Sequence, residues 1–329
     1  MSPFRTEVLV NPSDIRISHR SKILMLGSCF TENIGTRLQK YKFNIDINPM
    51  GILYNPLSIL KCLEVLLTEQ RYKKSDLDFG GGKWFSYDHH SEFSDPVAEK
   101  CLEKINNRLS ESSKILEQVN VIFLTFGTAW SYLLLGTDRV VSNCHKQPAA
   151  IFDRFRLTTN QISDAYFQLV QKLLDANPDL RIIFSVSPIR YWKDGPVDNS
   201  LSKSTVIVAI HRIIKEFTCC SYFPAYEIAM DDLRDYRFYA DDMLHPNNQM
   251  IEYIWNKFGQ AYFDSDTIKI NAELSKVLAA AGHKPFSPGS LEHQKFLKTQ
   301  LGKILILREK YPFLDFSADE KFFSDQLVK

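Results

Sequence analysis

The sequence predicts an α/β fold: a three-layer α/β/α arrangement around a five-stranded parallel sheet, with a helical extension at the C-terminal end. Three observations predict it. Residues 23–26, 121–125 and 181–187 are short apolar runs, and each is followed by turn chemistry at Gly27, Gly127 or Pro188. Stretches of helical length, apolar on one face, separate these runs. Beyond residue 265 two more helical patterns follow, near 270–281 and 290–310, with no evident strand. Strands that alternate with helices build a parallel sheet covered on both faces. A chain of 329 residues accommodates one such domain over 1–265 and the extension over 266–329.

Taken in order, residues 1–20 are polar and read as a lead-in lying across the surface. The run 23–26 reads as a buried strand. Gly27 ends it, because glycine tolerates the backbone angles of a sharp turn. Thr31 or Glu32 then opens a helix with Ile34 and Leu38 on one face. In residues 43–48, Phe43, Ile45 and Ile47 alternate with Asn44, Asp46 and Asn48, the pattern of a half-exposed strand near an edge. Asn48-Pro49-Met50-Gly51 ends that strand in a tight loop. Asn55 and Pro56 start the next helix, which continues through Leu57, Leu60, Leu63 and Leu67.

Residues 70–95 read as an irregular surface loop. The tandem His89 and His90 do not share a face, so no metal site is expected there. A long helix runs from Asp95-Pro96 to about Gln118. Residues 121–125 are apolar throughout, as in a central strand of a parallel sheet. An insertion over 135–157 is rich in charged and aromatic residues, and Val140 and Val141 suit a hairpin. A helix over 159–177 precedes the strand 181–187. A helix over 200–217, a fifth strand over 219–225 and a helix opening at Asn247 or Asn248 complete the domain.

Composition narrows the function. Lysine and arginine total 40 against 39 acids, a formal net charge of +1. No global field favours nucleic acid or an anionic membrane, and no basic block interleaved with aromatics occurs. No run approaches the length of a membrane span. Of six cysteines, Cys62, Cys101 and Cys219 sit in apolar surroundings and read as small buried hydrophobes. No CxxC pair occurs, and the N-terminus has no long apolar core. A cytoplasmic protein with reduced thiols is the expectation. The oligomeric state stays open.

Two weak motifs carry the chemistry. A strand–turn–helix geometry leaves Ser28 at the C-terminal end of a strand, beside the positive end of a helix. A hydroxyl there serves as a nucleophile with its own N–H aimed at a developing oxyanion, or simply caps the helix. Far downstream, Tyr239-Ala240-Asp241-Asp242-Met243-Leu244-His245-Pro246 places Asp242 three residues before His245 in a polar loop. One turn brings that carboxylate onto one imidazole nitrogen and leaves the other free to accept a proton.

Together, Gly27-Ser28-Cys29-Phe30 and Asp242-x-x-His245 resemble the GSCFA family, which is grouped with the SGNH (GDSL-like) hydrolases. Asn48-Pro49-Met50-Gly51 and Thr125-Phe126-Gly127-Thr128 follow in the family's order, so the resemblance covers roughly 20–265. It implies a flavodoxin-like strand order 2-1-3-4-5. It implies ester hydrolysis with Ser28 as nucleophile, His245 as general base and acid, and Asp242 as its orienter. Asp241, four residues before His245, is the nearest competitor for that last role. No cofactor and no metal is implied. The implied substrate is a small-molecule or glycan ester.

Oxyanion donors are expected from the N–H groups of Ser28 and Gly51. The wider SGNH pattern adds an asparagine after the third strand, and none follows Gly127 here. Thr128, or Asn143 and His145 of the insertion, are the candidates to replace it. Trp130, Arg190 and Trp192 fall just past strand ends and suit the lining of a substrate pocket. Cys29 is expected to pack rather than react. An acyltransferase would use the same residues, and a non-catalytic binding module could keep the fold without the chemistry.

Overall fold

The computed structural model describes residues 6–328. β1 (Lys22–Gly27), α1 (Cys29–Lys40), β2 (Asn44–Ile47) and α2 (Pro56–Leu67) open the domain. A hairpin of β3 (Asp78–Gly80) and β4 (Lys83–Phe85) precedes α3 (Ala98–Leu116) and β5 (Val121–Phe126). Next come β6 (Trp130–Leu134), β7 (Val140–Val141) and β8 (Phe152–Arg156), which form a small antiparallel sheet in the order β7-β6-β8. α4 (Thr159–Ala176), β9 (Arg181–Val186), α5 (Gly195–Glu216), β10 (Cys220–Phe223), a single turn α6 (Ala225–Glu227) and α7 (Asn248–Tyr262) follow. The C-terminal part is α8 (Ser265–Ala281), α9 (Leu291–Lys310) and a short α10 (Ser317–Ser324) that the sequence pattern did not reveal.

The main sheet is parallel throughout, in the order β10-β9-β5-β1-β2. Side-chain alternation explains why both faces are covered. Ile23 and Met25 of β1, with Val121 and Phe123 of β5, point to the layer containing α1 and α7. Leu24 and Leu26, with Ile122 and Leu124, point to the layer of α2, α3, α4 and α5. The chain leaves β2 at one edge and returns to β5 on the other side of β1. The direction of winding therefore reverses between β1 and β5, and a crevice opens at their C-terminal ends.

The lead-in is not simply a surface segment. Ile15 and Ile17 are buried, and the N–H groups of Ser13 and Ile17 donate to Ala261 and Tyr262 at 2.8 Å each. The segment docks because α7 ends beside it and offers those two carbonyls; residues 1–5 lie outside the described residues. Nor are residues 70–95 all exposed. His89 is fully buried against Tyr72 and Phe93. Burial, with Arg139 and His145 nearby, pushes its imidazole down to about 3, so the ring is neutral.

The C-terminal helices have their own apolar core, which includes Leu274, Leu297, Ile304 and Phe316. Lys42 joins them to the main domain by pairing with Asp319, donating to Asp315 O at 2.7 Å and standing over the Phe316 ring. Among the described residues, no helix is long and apolar enough to cross a membrane, and no group of three or more His, Cys, Asp or Glu is placed to hold a metal ion.

Candidate active site

Gly27 makes the first turn possible. Its φ is +145°, and a Cβ there would lie 2.4 Å from Thr125 O and 2.7 Å from Thr31 Oγ1. Ser28 is thereby delivered at the rim of β1 as the N-cap of α1. Its Oγ accepts from Phe30 N–H at 3.3 Å, and the residue is 1% exposed. Its own N–H donates to no acceptor among the described residues. Asn48 Oδ1 fixes the turn from the β2 side by accepting Gly27 N–H at 2.9 Å. Cys29 is half-buried, and burial pushes its thiol up.

The second motif closes into a ring of hydrogen bonds. Asp242 Oδ1 accepts the N–H groups of Leu244 and His245 at 3.0 and 2.9 Å, and Oδ2 meets His245 Nδ1 at 2.5 Å. Met243, at φ +58°, takes the sharp bend between them. The backbone N–H of His245, then its ring, hold the Asp242 carboxyl down at about 2. Asp241 makes no hydrogen bond or ion pair among the described residues, so Asp242 is the aspartate joined to His245. Among the described residues His245 Nε2 has no protein partner, and no hydrogen bond joins it to Ser28 Oγ.

The other expected site residues separate into groups. Gly51 lies beside His90, whose Cβ leaves only 2.2 Å for a Cβ on Gly51. The Gly51 N–H donates to Asn48 O at 2.8 Å within the turn. Thr128 Oγ1 shares a 2.9 Å hydrogen bond with Ser202 and accepts from Trp130 N–H at 3.0 Å. His145 Nε2 contacts the carbonyls of Ser86 and His89 at 2.9 and 3.0 Å, and Asn143 Oδ1 accepts His145 N–H. Those two residues brace the loop carrying His89. Arg154 stacks 4.0 Å above the Trp130 ring and pairs with Asp194. Arg190 makes long contacts to Asn199, Pro196 and Ser200, at 3.4 to 3.5 Å.

The GSCFA family matches residues 22–258, and the GSCFA domain protein, C-terminal domain, matches residues 274–329. The chain belongs to the GSCFA family. None of the curated proteins matches it. Solved structures similar to this GSCFA chain include a carbohydrate esterase family 3 protein from Talaromyces cellulolyticus, at 11% identity and a TM-score of 0.34, covering 77% of this chain and 99% of that one. A carbohydrate esterase family 2 enzyme with a carbohydrate binding domain, from Corynascus thermopiles (Myceliophthora fergusii), shows 11% identity and a TM-score of 0.37, covering 82% and 69%. The family 3 carbohydrate esterase of Clostridium thermocellum shows 14% identity and a TM-score of 0.32, covering 77% and 98%. At these values the likenesses bear on no individual site residue.

At the same rim of the sheet the GSCFA chain buries a residue that the sequence reading missed. Lys203 of α5 is 1% exposed, and its Nζ donates to Gly127 O at 2.8 Å and Ser187 O at 2.6 Å. It ties together the ends of β5 and β9. Burial, with Arg190 adding repulsion, pushes its ammonium down to about 7, while Cys29 and Glu227 oppose the shift. Ser202, beside it, accepts Ala129 N–H at 2.8 Å. A signal existed in the sequence. The apolar stripe Val206, Ala209, Ile210 and Ile213, extended back by two helical turns, lands on Ser202 and Lys203 and then on Asn199.

Proposed function

We propose that the chain is a serine-dependent ester hydrolase that acts through an acyl-enzyme. Ser28 attacks the ester carbonyl. His245 Nε2 takes its proton and later gives it to the leaving alcohol, and Asp242 holds the imidazole with Nδ1 protonated. The oxyanion is met by the unused N–H of Ser28, by Gly51 N–H shared with Asn48 O, and by the Thr128 hydroxyl. The observation that carries this reading is the Asp242–His245 ring of bonds, which fixes the tautomer and leaves Nε2 open. Among the described residues the Asp242 carboxylate makes no hydrogen bond outside this ring. The SGNH resemblance points to an acylated carbohydrate or another small ester as substrate.

One observation favours a second reading, a non-catalytic binding module: Ser28 Oγ is engaged as a helix cap and makes no bond to His245. In the hydrolase reading, a side-chain rotation of the exposed His245 closes that gap when substrate binds, since catalytic bonds often tighten only in the complex. A fluorophosphonate probe decides between the two. The hydrolase should be labelled at Ser28, and Ser28→Ala and His245→Ala should each remove hydrolysis of a small aryl acetate while thermal unfolding stays cooperative. Near-wild-type turnover by purified Ser28→Ala would overturn the proposal. If Cys29→Ala were the inactive variant instead, the thiol would be the nucleophile.

A further inference from the structure

A cavity of about 250 Å³ opens directly beside the loop that carries His245. Arg190, Trp192, Tyr236, Tyr239, Met243 and Leu244 line much of it. Met243 and Leu244 are the two residues between Asp242 and His245, so the cavity adjoins the side of the site that carries the histidine loop. In ester hydrolysis the histidine delivers its proton to the oxygen of the departing alcohol. A space on that side therefore receives the alcohol part of the ester rather than the acyl group. Its aromatic members offer flat apolar surface suited to a ring.

The charge of this cavity is not balanced. Arg234 is paired with Asp231 at 2.7 Å, and Asp235 lies 3.7 Å from Arg237, so these charges are matched locally. Arg190 has no carboxylate within 4 Å among the described residues. Its three hydrogen bonds, to Asn199, Pro196 and Ser200, lie at the long limit of 3.4 to 3.5 Å. Behind it stands Lys203, bound to two carbonyls, with no acid in ion-pair contact among the described residues. Glu227, the carboxylate that acts on Lys203 from a distance, has both oxygens accepting from Tyr222 OH, at 2.9 and 2.8 Å. A guanidinium held loosely in a cavity wall, with a buried cation behind it, favours an anion.

We propose that Arg190 selects esters whose alcohol part carries a carboxylate, such as an acylated uronic acid. The inference rests on the hydrolase reading above and adds the substrate class. The guanidinium fork meets the carboxylate, the aromatic walls take the ring, and the ester carbonyl reaches Ser28.

The test compares 4-acetoxybenzoate with its neutral methyl ester, methyl 4-acetoxybenzoate. Wild type should prefer the anion by tenfold or more in kcat/KM, mainly through KM, and the preference should shrink as salt is raised. Arg190→Gln should bring the ratio close to one, Arg190→Glu should invert it, and Arg190→Lys should keep part of it. Thermal unfolding of each variant establishes that it is folded. A wild type without preference, or an unchanged ratio in Arg190→Gln, would overturn the inference. Ser28→Ala separates the two claims: its loss of activity towards both esters upholds the hydrolase reading whatever Arg190 does. Calorimetric binding of 4-hydroxybenzoate to the full Ser28→Ala chain needs no turnover. Binding weakened tenfold by a second change, Arg190→Gln, supports the inference. Binding that is absent, or indifferent to Arg190, refutes it.

Discussion

Lys203→Met isolates one buried charge and makes a quantitative prediction. In the native chain the ammonium titrates at about 7, against 10.5 for an ordinary lysine. The sign follows from proton linkage. Below pH 7 the amine is charged in both native and unfolded chains, so it adds no pH dependence. Between 7 and 10.5 the unfolded chain keeps a proton that the native chain has released. Native stability therefore rises with pH across that window. Between pH 6.5 and 9.5 the two values correspond to roughly 3 kcal/mol.

Methionine fills the space without titrating. It also leaves Gly127 O and Ser187 O without their donor, at about 1–3 kcal/mol for each buried carbonyl. The variant should thus be clearly weaker than wild type at high pH and much closer to it at low pH. Urea unfolding of both proteins at the two pH values measures the double difference, in which other titrating groups cancel. Equal pH dependence of the two proteins, within about 0.5 kcal/mol, would refute the reasoning. Lys203 would then stay charged across the range, held by its two carbonyls.

Asp242→Asn should keep the backbone bonds of the loop but present an N–H to His245 Nδ1, forcing the wrong tautomer. We expect kcat to fall by roughly three to four decades, as for other triads of this type, while Asp241→Asn stays near wild type; the reverse order in a steady-state assay would reassign the orienter. Thr128→Val should lower kcat about a hundredfold with little change in KM, because an oxyanion bond forms mainly in the transition state. Asn143→Ala and His145→Ala should instead lower the melting temperature and leave kcat within a few-fold, since their polar atoms brace the loop of Ser86 and His89. If all three variants keep kcat within a few-fold of wild type, the oxyanion site consists of backbone donors alone.

The sequence by itself determined the alternation of strands and helices, because burial on both faces of a parallel sheet requires unbroken apolar runs such as residues 121–125. It also determined the local geometry of two short motifs. Gly27 can only be a glycine at that turn, and Asp242 reaches His245 across three residues because no distant part of the chain is needed. Tertiary structure decided everything that joins segments far apart. Whether His89 is exposed depends on Tyr72, Phe93 and the insertion that covers them. Lys203 is polar by type, and only the convergence of Gly127 O and Ser187 O, 76 and 16 residues away, makes its burial tolerable. The residues around Arg190 come from the loop after β9, the first turns of α5 and the segment after β10. Local propensity and periodicity act over a few residues, whereas partners for a buried charge are supplied by whichever loops the sheet order brings to the same rim.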